Sequence, residues 1–518
     1  MRIVYLTLAL GLFFSFSACK KEVNPTTGGD PVDPVDPREV YLDNEHENKV
    51  RDSIWYYYKV LSLWESYVPP RNTNDIEKAG YIRNEYTKYY ETGEDVLDYL
   101  MDLTKAPGTE STKNYDWYSF LDRAGEVSGE IQDAVATSYG MYVFYLQTET
   151  SGNNAYLYVR MVDKNSSAYK AGIRRGDMIL GINGDTKIDY DSQAAQNFRG
   201  INTYLSSQSM KVRFAKPDGT ITEKDIASVQ YKMDPVMDSR VFDRDGKKVG
   251  YLAFSSFVNV LEAKNGMKAT FDGIFSDFES KGINELIVDL RYNGGGAVVT
   301  AEYLADRIVP TSADKDLMYK YEVNDLLKSW DWLEEGEGFA PVYFNKTGAL
   351  NLSRVYFLVT NSTASASELL INSLTPHMQV YMVGTNSVNN QNQVVGNNTY
   401  GKPVGFFGLP IVDDDIELYV TSFKTLNKKG EGDYFNGLEP NAHVWEFSDF
   451  RDFGDDEEPM IASALNHIQN GTFATAASRV AIASNGRIST KRPKAVSVLQ
   501  ENRLNNGMYK FFKRHLQK

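Results

Sequence analysis

Ser365 stands in a run of small and polar residues, Asn361-Ser362-Thr363-Ala364-Ser365-Ala366-Ser367-Glu368, directly after the apolar stretch 355–360. A strand, a tight turn and a helix in that order would set the serine hydroxyl at a helix N-terminus. There, unpaired N–H groups and the helix dipole favour a developing negative charge. The chemistry would be nucleophilic attack on a carbonyl. The same spacing has a plainer reading, because Ser365-x-x-Glu368 fits a capping box in which the serine only starts the helix. A second segment, Ile287-Val288-Asp289-Leu290-Arg291-Tyr292-Asn293-Gly294-Gly295-Gly296, reads as a buried strand ending in three glycines. Such glycines permit positive φ and close backbone approach, which suits amide donors around an oxyanion and equally suits a tight strand-to-helix turn. The third segment is Thr399-Tyr400-Gly401-Lys402-Pro403-Val404-Gly405. A lysine acts as a general base only where burial or neighbouring cations bring its pKa toward neutrality.

The elements that must position these residues follow from periodicity. From Val249 on, apolar runs at 249–256, 286–292, 355–360, 379–383 and 416–422 alternate with helical sequence, which predicts an α/β core with a mostly buried sheet. Between Phe120 and Tyr231 the pattern is short β runs, with strands at 141–146 and 155–162. Ala171-Gly172-Ile173-Arg174-Arg175-Gly176-Asp177-Met178-Ile179-Leu180-Gly181-Ile182-Asn183-Gly184 follows, and this stretch resembles the core of a PDZ domain. The resemblance places the carboxylate-binding loop at Ser138-Tyr139-Gly140-Met141, so that Tyr139, Gly140 and Met141 would capture a peptide's C-terminal carboxylate while the peptide adds as a strand. From Tyr41 to Leu103 the pattern is helical, with Ile54, Tyr57, Tyr58, Leu61 and Trp64 at three- and four-residue spacing and an expected stop at Pro69-Pro70.

Taken together, the three chemical segments and the PDZ-like module resemble the S41 serine peptidases, the C-terminal (tail-specific) processing proteases. "D-L-R-x-N-x-G-G", "S-A-S-E" and "T-[FY]-G-K" occur here in the family's order. The resemblance implies a ClpP/crotonase-like α/β peptidase core with an inserted PDZ-like β-rich domain and an N-terminal helical domain. It implies Ser365 as nucleophile, Lys402 as general base, and an oxyanion hole from the amides of Ala366 and one glycine of the Gly295-Gly296 pair, Gly295 being preferred. The sequence departs from the pattern in two places. Phe406 stands where many members place a glutamine that orients the lysine, and a polar insertion at 386–398, expected as a surface loop, lengthens the serine-to-lysine segment.

Other chemistries fit poorly. Gly396-x-x-x-x-Gly401-Lys402 imitates a phosphate-binding loop, but Pro403 replaces the hydroxyl that Mg²⁺ needs. Of the five histidines, His377 is out of reach along a continuous helix, while His443 stays an alternative base to Lys402. No metal-ligand motif is present, and no cofactor is expected. The net charge of −14 over 518 residues argues against nucleic acid as a partner. The expected partners are a polypeptide substrate, bound through its C-terminus, and a membrane.

The membrane expectation rests on the lone cysteine. Arg2, a short apolar run and Ser17-Ala18-Cys19 read as an export signal and resemble the lipobox of bacterial lipoproteins, which implies lipidation of Cys19 in the cell envelope, periplasmic or outer-membrane associated. The expected organisation is a signal peptide at 1–18, a Pro-rich tether at 19–38, a helical domain at 39–119, a PDZ-like domain at 120–232, a peptidase core at 233–475 and a basic tail at 476–518. Residues 479–518 hold ten Lys/Arg against one acidic residue, Glu501, which reads as a solvated tail or as a contact with an anionic surface. The expected function is an envelope serine endopeptidase working through a Ser-Lys dyad. The alternative is an inactive peptidase-like scaffold that binds peptides through its PDZ module.

Overall fold

The computed structural model describes residues 44–105, 114–148, 154–388, 393–412, 416–474, 494–498 and 507–511. The signal segment, Cys19 and the tether lie outside them. Helix α1 (Glu45–Leu61) starts where the Asn44 side chain accepts the Glu47 N–H, with Glu45 and Glu47 in the first turn and Lys59 in the last. It ends at Leu61 and not at Pro69-Pro70, because Ser62 already turns to extended backbone. Helix α2 (Gly93–Leu103) begins with a Thr92–Asp95 capping box. Val50, Ile54 and Tyr58 recur on one face of α1 and belong to the same apolar cluster as Leu418 and Phe423 of the core. The helical segment therefore shares its core with the α/β body.

The PDZ-like unit has an independent core. Strand β1 (Met141–Gln147) pairs antiparallel with Tyr156–Val162, and the sheet continues through Met178–Ile182, Ser209–Ala215 and Ile221–Ala227. Val143, Leu157, Ile179, Val212 and Phe214 fill its interior. The strand Phe120–Asp122 pairs instead with the core strand at Leu418 and Tyr419, so those residues leave the PDZ-like unit to which they were assigned.

The core holds two sheets. In the first, β2 (Lys247–Phe254) lies parallel to β3 (Glu285–Asp289), in register Tyr251↔Ile287. The second sheet takes in β4 (Gly296–Ala297). Strand β5 (Arg354–Leu358) runs parallel to β3 and leads to helix α3 (Ala366–Leu374). Strand β6 (Gln379–Val388) then pairs parallel with β5. Side chains alternate between two apolar clusters: Leu286, Val288 and Phe357 on one face, Tyr251, Ile287 and Tyr356 on the other. Both faces are covered, as a parallel sheet requires. The second sheet continues with β7 (Val404–Val412) antiparallel to β8 (Ile416–Asn427).

Two sequence expectations change here. The polar insertion is not a plain loop: β6 turns back through Val394–Gly396 as an antiparallel hairpin, with Asn386 opposite Gly396. Parts of the basic tail are strands and not solvated coil: β9 (Lys494–Val498) pairs with β1, and β10 (Met508–Phe511) lies between β4 and β7.

Candidate active site

The turns after β3 and β5, at the C-terminal ends of adjacent parallel strands, are stitched together by the small polar residues noted in the sequence. Thr363 Oγ1 donates to Leu290 O at 2.7 Å, Ser367 Oγ to Asn293 O at 3.0 Å, and Ala364 N to Asn293 O at 3.2 Å. The third segment joins through Tyr400 N, which donates to Thr363 O at 2.9 Å. Hydroxyls and amides thus consume the backbone groups that a buried turn would otherwise strand.

Ser365 sits at φ 62°, ψ −110°, a backbone conformation that a non-glycine residue rarely holds and that marks a site where the surroundings enforce it. It is fully buried, and although the capping-box residues are in place, its Oγ has no hydrogen-bond partner. The Glu368 carboxylate does the holding. It accepts Ser365 N at 2.8 Å, Gly401 N at 2.7 Å and Lys402 N at 2.9 Å, and also the Thr399 hydroxyl. One oxygen, Oε2, therefore takes the amides of both Ser365 and Lys402. The insertion does not displace Lys402 from this anchor. Burial raises the pKa of Glu368, against these donors.

Lys402 is 1% exposed. Its Nζ lies 4.0 Å from the Phe406 ring centroid and 4.4 Å from that of Tyr118. Desolvation brings its pKa down to about 7, against the opposing pull of Asp116 and Glu368. Asp116 is a site residue that sequence reasoning missed. It is buried, accepts the Tyr58 hydroxyl at 2.8 Å and the Ser119 amide at 3.1 Å, and comes from the irregular stretch between helix α2 and Phe120, far from any motif. The three-dimensional role of Glu368 also exceeds the capping role read from spacing.

The glycine pair behaves unequally. Gly295 (φ 114°) gives its amide to Asn293 Oδ1 at 2.9 Å, and a Cβ there would lie 3.1 Å from the Ala366 nitrogen. Gly296 (φ 139°) tolerates no side chain, since a Cβ would lie 2.4 Å from Phe257 O, and its amide points to the carbonyl of Gly507 at 2.6 Å. His443 lies on Ala442–Val444, paired with β6 and packed against Gly396 of the hairpin. His377 bonds to Leu317 O at 3.1 Å. In the PDZ-like unit, Tyr139, Gly140 and Met141 line a cleft of about 400 Å³ together with Asn202 and Leu205. The Gly140 amide is taken by Ser138 Oγ at 3.0 Å, and the Tyr139 hydroxyl donates to Ser207 O. Among the described residues no His/Cys/Asp/Glu cluster could hold a metal, and no helix is long and apolar enough to cross a membrane.

The fold is an α/β core that carries a PDZ-like β-rich unit. Residues 248–444 match the profile of Peptidase family S41 and residues 144–203 that of the PDZ domain. It is 26% identical over 278 residues to carboxyl-terminal-processing peptidase 3, chloroplastic, of Arabidopsis thaliana, covering 52% of this chain and 47% of that one. It is 26% identical over 375 residues to carboxy-terminal processing protease CtpB of Bacillus subtilis, covering 71% and 67%. The match thus spans about half the length of the first relative and two thirds of the second. A crystal structure from Bacteroides fragilis, assigned to the S41 proteases, superposes with a TM-score of 0.55 at 22% identity, covering 84% of this chain and 99% of that one; the likeness concerns the fold.

Proposed function

We propose that the chain is a serine endopeptidase of the cell envelope that cleaves polypeptides through Ser365 and Lys402. The observation that carries this reading is the pairing of an enforced, buried Ser365 with a lysine brought to about 7, both tied by their amides to one carboxylate oxygen. Neutral Lys402 takes the proton of Ser365 Oγ as that oxygen attacks the scissile carbonyl. The tetrahedral oxyanion accepts from the amides of Ala366 and a glycine of the 295–296 pair. Gly296 is preferred to Gly295 because the Gly295 amide is held by the Asn293 side chain of its own turn, whereas the Gly296 amide meets a carbonyl from a separate segment, Gly507. Collapse expels the amine, which carries off the proton held by Lys402. Water then hydrolyses the acyl-enzyme, freeing the acid and Ser365.

Recognition of the substrate's C-terminus by the Tyr139–Gly140–Met141 loop and lipid anchoring at Cys19 belong to the same proposal. A membrane-held peptidase with a peptide-binding module would act on exported polypeptides. The test is reaction with an active-serine phosphonate, followed by cleavage of an unstructured peptide. Labelling at Ser365, lost in Ser365→Ala and cut by about 10²–10⁴-fold in Lys402→Ala, is expected. Absence of labelling in the parent, even with the tail removed as described below, would leave only the scaffold reading. Activity retained in Lys402→Ala but lost in His443→Ala would move the base to His443.

A further inference from the structure

Between β4 and β7 the second sheet has room for one strand. Strand β4 follows the glycine pair and β7 follows Lys402, so the two catalytic segments form the walls of that slot. The chain's own carboxy-terminal strand fills it. Strand β10 runs parallel to both walls, with Gly296 opposite Met508, Ala297 opposite Tyr509, and Phe406 and Phe407 opposite Tyr509 and Lys510. The Gly507 carbonyl accepts the Gly296 amide at 2.6 Å. A Cβ placed on Gly295 would lie 2.2 Å from that carbonyl oxygen and 3.1 Å from Ala366 N, so the Gly507 carbonyl and the Ala366 amide flank the same face of Gly295. Met508 is fully buried, and the Tyr509 ring stacks on Phe406 at 5.4 Å.

The same tail makes a second contact, at the other peptide-handling part of the molecule. Strand β9 adds antiparallel to β1, from Lys494 opposite Gln147 to Val498 opposite Phe144, and so runs toward the Ser138–Met141 loop. Addition of a strand to this edge is how PDZ modules take peptides. Two strands of the tail therefore lie at the two places, β9 along the PDZ edge and β10 in the slot between the catalytic segments. Its ten Lys/Arg, against a whole-chain charge of −14, also suit it to an otherwise acidic body.

We infer that the carboxy-terminal tail is a tethered peptide that occupies the molecule's own substrate track, with the Gly507 carbonyl at the oxyanion position, and that a substrate polypeptide must displace it. The inference rests on the peptidase reading for the meaning of the track, though occupancy itself needs no catalysis. A tether raises the local concentration of its end to about the millimolar range, enough to block a track against dilute polypeptides.

The test compares the full chain with a chain ending at Asn506 and with full-length Met508→Asp, which charges the buried strand. Each is scored for its melting transition and for the rate of phosphonate labelling at Ser365. Labelling about tenfold or more faster in both variants, with a cooperative melt retained, is expected. Should the shortened chain fail to fold, Met508→Asp decides: faster labelling supports a displaceable occupant, and loss of the melt shows β10 to be an integral strand, which overturns the inference. Unchanged labelling overturns it too. Failure of the peptidase reading is separated by Ser365→Ala chains, in which a fluorescent peptide of residues 499–512 should bind the shortened form and not the full one. Equal binding to both, or to neither, sinks the inference whatever the activity. A parent mass short by residues 508–518, absent in Ser365→Ala, would also support it, as cleavage of the Gly507–Met508 bond held in the track.

Discussion

Arg291 and Lys402 are both buried cations within segments of the candidate site, and their surroundings differ in kind. Arg291 donates to Asp289 at 2.7 Å and 3.0 Å, to Glu458 at 2.7 Å and to Glu446 at 3.3 Å, and Arg175 of the PDZ-like unit reaches the same Glu446 at 2.9 Å. Desolvation works against its charge, yet Asp289, Glu458 and Glu446 outweigh it and hold the pKa above the ordinary value. Lys402 faces the rings of Tyr118 and Phe406, and there desolvation outweighs Asp116 and Glu368. A cation enclosed by carboxylates serves the fold and stays charged. A cation against aromatic walls gives up its proton near neutrality and becomes available for proton transfer.

The comparison breaks most visibly in stability. Arg291→Met strands Asp289, Glu446 and Glu458 in the interior and should cost about 3–5 kcal/mol, as removing one partner of a buried ionic network does. Lys402→Met removes a cation that burial penalises and should leave urea stability at pH 6 unchanged or slightly higher, while slowing phosphonate labelling by about 10²–10⁴-fold. Equal losses from the two substitutions would show that Lys402 is as structural as Arg291.

A second, smaller effect lies in pH. The folded pKa of Lys402, about 7, is below its ordinary 10.5. Between those values the unfolded chain holds a proton that the folded chain has released, so this residue's contribution to stability rises with pH across that window and its cost is fully present below it. The melting-temperature advantage of Lys402→Met over the parent should therefore be largest at pH 6 and shrink toward pH 10. Labelling at Ser365 in the parent should climb through about pH 7 and level off. A flat profile would detach the lysine from the serine.

What was legible in the sequence was local. The PDZ-like turn at Gly176-Asp177, the strand-to-glycine run at 287–296 and the serine turn are each short, contiguous patterns whose residue types dictate their backbone, and the structure places them as read. The elements that escaped are those set by distant pairing. Asp116 is held by partners as distant as Tyr58 and Thr421, and no spacing links it to Lys402. Met508, Tyr509 and Phe511 mark Gly507–Phe511 as an apolar stretch in a basic tail, yet no spacing names its neighbours, since a strand's partners are chosen by the open edges it meets. The insertion after β6 reads as polar coil and still forms a hairpin, because its pairing continues an existing strand. The start of the PDZ-like unit lies beyond Phe120 for the same reason, since Phe120 pairs with Tyr419 of the core sheet.

The finest distinction concerns Phe406, which replaces the expected glutamine. Its ring contributes two opposed effects on Lys402: an apolar wall that desolvates the ammonium and a π face, at 4.0 Å, that attracts it by about 1–2 kcal/mol. Phe406→Leu keeps the wall and removes the π face, so the midpoint of the labelling profile should fall by a fraction of a pH unit. Phe406→Gln supplies a carbonyl that accepts from the ammonium, and because hydrogen bonds to charged groups contribute about 1.5–3 kcal/mol, the midpoint should rise. Opposite shifts would show that the face turned toward Lys402 tunes the proton. Shifts of the same sign would show that burial alone sets it, and the contrast with Arg291 would then reduce to whether desolvation or the neighbouring carboxylates prevail.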